Sequence, residues 1–92
     1  MFHTIAIHDV LPDHVEAMLA FMHRVADGVA GAPGLIDFAP YRDLQTGKLV
    51  GLARWESAEA FQQAMPQIMA FSAERRPEWT DQDDVLLALA PA

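Results

Sequence analysis

Few side chains in this sequence are equipped for chemistry. It has no cysteine, so thiol nucleophiles, Cys–zinc sites and disulfides are excluded, and a reducing cytoplasm is the expected compartment. Of the four histidines, His14 and His23 fall on opposite flanks of one helical stretch and cannot share a metal ion. His8 is better placed. Residues 2–10 read as a strand, and alternation puts Phe2, Thr4, Ala6 and His8 on one face. An imidazole titrates near neutral pH and can take a proton from an acidic C–H or O–H. The second candidate is Trp55, whose indole N–H can donate to a developing oxyanion. No Ser-His-Asp set, phosphate-binding loop or metal-ligand spacing competes with them.

Around Trp55 the sequence is a hairpin followed by a helix. Residues 35–43 and 48–56 are apolar-rich runs separated by Leu44-Gln45-Thr46-Gly47, where glycine permits the positive φ of a tight loop. Facing Asp43 with Lys48 pairs Phe38 with Ala53, Ile36 with Trp55 and Asp37 with Arg54. One face then carries Ile36, Phe38, Gly51, Ala53 and Trp55; the other carries Asp37, Ala39, Tyr41, Val50, Leu52 and Arg54. Small residues beside large aromatics make the first face a candidate pocket wall, with Phe38, Gly51, Phe61 and Met22 as ligand contacts and His8 at the edge. The same residues also suit an ordinary core filled by Met and Phe, with His8 as a strand-end histidine bonded to backbone.

Residues 11–31 predict a helix with a buried stripe through Val15, Met18, Leu19, Met22, Val25 and Val29. Ser57 is an N-cap for a second helical stretch, which Pro66 makes either two short helices or one kinked helix, 57–65 and 66–74. Residues 78–84 read as a polar linker holding Trp79, and residues 85–89 as a final strand with no polar face. The order is βαββαβ. It implies a single α+β, ferredoxin-like domain over residues 1–92: a four-stranded antiparallel sheet with both helices on one face. The other sheet face, with Ile5, Ile7, Tyr41, Val50 and Leu52, has nothing in the chain to cover it, so a homodimer through that face is expected. The net charge of −7 repels phosphate backbones, making nucleic acid an unsuitable partner. No apolar run reaches the length of a membrane span, and the amino end lacks a basic leader.

Pro33-Gly34, Tyr41-Arg42-Asp43 and Ala53-Arg54-Trp55-Glu56-Ser57-Ala58-Glu59-Ala60-Phe61, with the length and element order, resemble the antibiotic biosynthesis monooxygenase-type family of dimeric α+β barrel proteins. The resemblance implies a pocket between sheet and helices. Some members use it to oxidise anthrone- or quinol-type aromatics with O₂ and neither metal nor flavin; others bind and degrade haem. Trp55 matches a pocket tryptophan of polyketide-oxidising members. The chain departs from them at Gly51, where they carry Asn, and at Phe61, where they carry Tyr. Quinol-oxidising relatives often have a histidine near Ala64. Haem-degrading members have a histidine aligning near Glu74 and a tryptophan near Ala64, which counts against haem here.

The resulting expectation is a small monooxygenase without cofactor, metal or flavin, acting on a small apolar or aromatic molecule. His8 is its base, Trp55 its N–H donor and Arg54 the second choice of donor. Two alternatives share the scaffold: a non-catalytic dimeric small-ligand-binding protein, and an isomerase or cyclase.

Overall fold

A computed structural model describes all 92 residues. The elements are β1 (Phe2–His8), α1 (Val15–Val29), β2 (Leu35–Arg42), β3 (Leu49–Trp55), α2 (Ala58–Phe71) and β4 (Val85–Leu89), with 3-10 turns at Pro12–His14, Ser72–Glu74 and Pro77–Trp79. The sheet is four-stranded, in the order β2-β3-β1-β4, with every pairing antiparallel. This is the ferredoxin-like α+β arrangement.

Local chemistry accounts for the junctions. In the hairpin loop Gly47 adopts φ 77°, and its N–H donates to Asp43 O at 2.8 Å. The Asp43 carboxylate accepts from Gln45 N at 2.9 Å. Hydrogen bonds from Gln45, which weighs most, and from Thr46 hold its carboxyl below the ordinary range against slight desolvation. Ser57 Oγ accepts the Ala60 N–H at 3.2 Å and caps α2. Gly34 is required twice over: its φ is 81°, and a Cβ there would stand 2.4 Å from the Ala60 Cβ. That contact brings the start of α2 down onto the chain entering β2.

Four expectations need correction. The first strand ends at His8 rather than at residue 10, leaving Val10 in an isolated bridge to Thr80. The first helix begins after a separate 3-10 turn and stops at Val29. α2 runs unbroken through Pro66; Gln62, whose carbonyl loses its partner, and Pro66 are both exposed, so water can replace the missing bond. Finally, Leu35, not Ile36, faces Trp55. A bulge between Leu35 and Asp37 absorbs one residue, and Ile36 is left largely exposed.

Beyond the bulge the expected register holds, with Asp37 opposite Arg54 and Phe38 opposite Ala53. Arg54 Nε donates to both Asp37 oxygens, at 3.0 and 2.9 Å. That bonding keeps the Asp37 carboxyl below its usual range and raises Arg54.

The core lies between the helices and one sheet face, in two parts. Met18, Phe21, Met22, Val25, Leu49 and Trp79 form the larger part. Trp79 is thus a buried plug packed edge-on to Phe21, centroids 6.2 Å apart, rather than a linker residue. Ala53, Trp55 and Ala64 form the smaller, walled by Leu35, Phe38 and Phe61. The opposite sheet face stands uncovered within the chain. Its registers line up the apolar rows Ala39–Leu52–Ile5–Leu87 and Tyr41–Val50–Ile7–Val85. β4 is exposed along its whole length.

Candidate functional site

A cavity of about 460 Å³ lies between the sheet and the helices. Its floor is Thr4 and Ala6 of β1 with Gly51 of β3; the register sets Ala6 against Gly51, so two minimal side chains adjoin. Phe21, Met22 and Val25 of α1 wall one side, and Phe61, Met65, Ile68 and Met69 of α2 the other. A Cβ on Gly51 would meet nothing closer than the Met22 Cε at 3.8 Å, so a methyl fits there without displacing a neighbour. Four of the expected contacts, Phe38, Gly51, Phe61 and Met22, line this cavity together with His8.

Trp55 does not line it. The ring is wholly buried, beneath Phe61, with centroids 5.5 Å apart and the planes at 61°. Its Nε1–H donates to Thr4 Oγ1 at 3.1 Å. The N–H offered above to a substrate is therefore already committed, and Trp55 reaches the cavity only through Thr4. Ala53, expected beside the opening, lies in the packed part of the core with Ala64. Arg54 stays on the uncovered face with Asp37.

The polar end is built from residues that sequence reasoning missed. His8 Nδ1 is 2.9 Å from Asp84 Oδ1. Nδ1 is buried and has no well-aligned hydrogen-bond partner, and its separation from Asp84 Oδ1 is within hydrogen-bond range. Asp84 is also gripped by both terminal nitrogens of Arg75, whose Nη2 donates further to Thr80 Oγ1 at 3.1 Å. Burial pushes the Asp84 carboxyl up, but the bonds from Arg75 and the neighbouring His8 more than offset it, so its pKa is lowered. Asp84, Arg75 and Ser72 all border the cavity with His8. Asp84 reaches His8 through strand pairing: β4 runs antiparallel to β1, Val85 faces Ile7, and one step further brings Asp84 beside His8. No group of three or more His, Cys, Asp or Glu side chains is arranged to hold a metal ion, and no helix is long and apolar enough to cross a membrane.

The arrangement can bind an apolar body and present one imidazole to it. Comparison with known proteins gives this geometry a context. The family model described as antibiotic biosynthesis monooxygenase matches residues 1–66. No curated protein matches the sequence. Among solved structures, Rv0793 from Mycobacterium tuberculosis is 22% identical, with a TM-score of 0.83 covering 99% of this chain and 94% of that one. PA3566 from Pseudomonas aeruginosa is 13% identical, with a TM-score of 0.79 over 99% and 93%. The heme-degrader MhuD from Mycobacterium tuberculosis, solved with two hemes in its active site, is 23% identical, with a TM-score of 0.76 over 96% and 92%. At these identities the likenesses establish a shared fold.

Proposed function

Because the chain belongs to the antibiotic biosynthesis monooxygenase family, we propose that it is a small monooxygenase that oxidises an aromatic or quinol-type molecule with O₂, without metal or flavin. The observation that carries this reading is the cavity itself: about 460 Å³ of mostly apolar space with an imidazole at its polar end. His8 takes a proton from an acidic position of the bound molecule, leaving an electron-rich carbanion. The carbanion passes an electron to O₂, the two radicals combine at carbon, and the peroxide loses water to leave a carbonyl. One oxygen atom ends in the product and the other in water. An anthrone supplies both hydrogens from its CH₂, a hydroquinone one from O–H and one from the ring C–H; in each case both electron pairs come from the substrate, so no other reductant is required. The Thr4 hydroxyl, which accepts from Trp55, keeps its own hydrogen to donate to the developing oxyanion. Apolar walls exclude water from the intermediates.

The test is oxygen consumption with a panel of anthrones and hydroquinones. Saturable uptake supports the reading. Ligand binding without uptake would turn it into the binding-protein alternative, and rearranged product without uptake into an isomerase or cyclase.

The same reading pairs two copies through the uncovered sheet face and places the protein in the cytoplasm. Supporting the pair are the two apolar rows across the sheet and the exposure of every β4 residue. Sedimentation at micromolar concentration should give about twice the chain mass. Leu52→Glu should yield monomers, because a carboxylate has no partner in an apolar interface.

A further inference from the structure

We propose that Asp84 is the positioning residue for His8, holding the imidazole so that a single nitrogen, Nε2, serves the cavity. The inference rests on the reading of His8 as the base and adds what makes it one. Three observations converge. His8 borders the cavity, while its Nδ1 is buried and faces Asp84 Oδ1 at 2.9 Å. Asp84 does not depend on His8 for its own place, because Arg75 grips both its oxygens and is itself tied to Thr80. The carboxyl is held in its ionised form against the cost of burial.

A carboxylate accepts and cannot donate, so the neutral His8 facing it carries its proton on Nδ1. Nε2 then keeps its lone pair, and it is the nitrogen not turned toward Asp84. When Nε2 takes the substrate proton, the positive charge formed on the ring faces the Asp84 carboxylate. Arg75 and Asp84 are the charged residues that border the cavity with His8. Arg75 shares the Asp84 carboxylate with His8, so that countercharge is divided between the guanidinium and the imidazolium. The three residues come from separate elements: His8 ends β1, Asp84 precedes β4 and Arg75 follows α2. The base is therefore assembled only in the folded chain.

Two variants separate positioning from mere support. Asp84→Asn removes the charge at nearly constant shape. Arg75→Gln removes the clasp but leaves the carboxylate beside His8. In ¹⁵N-detected NMR of the full chain, neutral His8 should show the Nδ1–H form in the native protein and in Arg75→Gln. Asp84→Asn should shift it to a mixture of tautomers or to Nε2–H. In oxygen uptake, Asp84→Asn should lower kcat roughly 10²–10⁴-fold with KM little changed. Asp84→Glu should restore part of the loss. An unchanged tautomer in Asp84→Asn would overturn the proposal. So would equal kcat losses in Asp84→Asn and Arg75→Gln that track their melting temperatures, which would make the cluster a structural clasp. The NMR readout needs no turnover. It stands if the oxygenase reading fails, and fails separately if only the positioning is wrong.

Discussion

Two ends of one sheet face begin with similar small residues and end differently. At one end Ala53 lies under Ala64 and beside Trp55, all three buried. At the other, Gly51 and Ala6 line the cavity, with methionine and phenylalanine side chains among its walls. Small residues on a strand therefore do not make a cavity by themselves. What matters is which part of a helix descends on them. Gly34 lets the start of α2 approach closely, through the contact of its backbone with Ala60. Ala64 then closes the Trp55 end, while Met65 and Met69, further along, border the open one. The filled end should govern stability and the open end ligand chemistry.

The sharpest way to test that division is His8→Ala. Turnover should fall roughly 10²–10⁴-fold, while calorimetry shows a melting temperature close to native. A protein that unfolds early instead would assign His8 to the structural end. Filling the open end should act next most strongly. Gly51→Leu should push side-chain atoms into the cavity and abolish ligand binding in titration calorimetry. Gly51→Ala, whose Cβ meets only ordinary contacts, should retain it. If Gly51→Leu binds normally, the functional cavity is elsewhere.

At the filled end the signs reverse. Trp55→Ala should cost about 3–5 kcal/mol in urea unfolding. Trp55→Phe should cost about 0.5–1.5 kcal/mol by losing the bond to Thr4, and should leave ligand affinity near native. A Trp55→Phe protein of native stability but much weaker binding would erase the distinction between the two ends.

The smallest effect is a pH dependence at the open end. The folded Asp84 pKa lies below its ordinary value of 3.8. Its stabilising contribution is therefore present above pH 3.8 and is lost as pH falls through the lower, folded value. In acid titrations followed by circular dichroism, the stability gap between the native protein and Asp84→Asn should be present near neutrality and close at low pH. A gap that persisted after full acidification would mean that the charge on Asp84 contributes little.

What the sequence determined by itself was local or periodic. Alternation in residues 2–8 put Thr4, Ala6 and His8 on one face, the short loop at Gly47 set the Asp37–Arg54 register, and Ser57 marked the start of α2. Each depends on a few neighbouring residues, so pattern alone carries it. Tertiary structure decided the rest. The bulge at Ile36 appears only in the strand pairing, and no residue type announces it. The burial of Trp55 depends on where Phe61 lands. Asp84 and Arg75 join His8 only when β4 has paired with β1 and the chain after α2 has folded back over their ends. These are contacts between segments distant in sequence. Their geometry is set by packing and strand pairing across the whole domain, which the order of residues along any one segment does not encode.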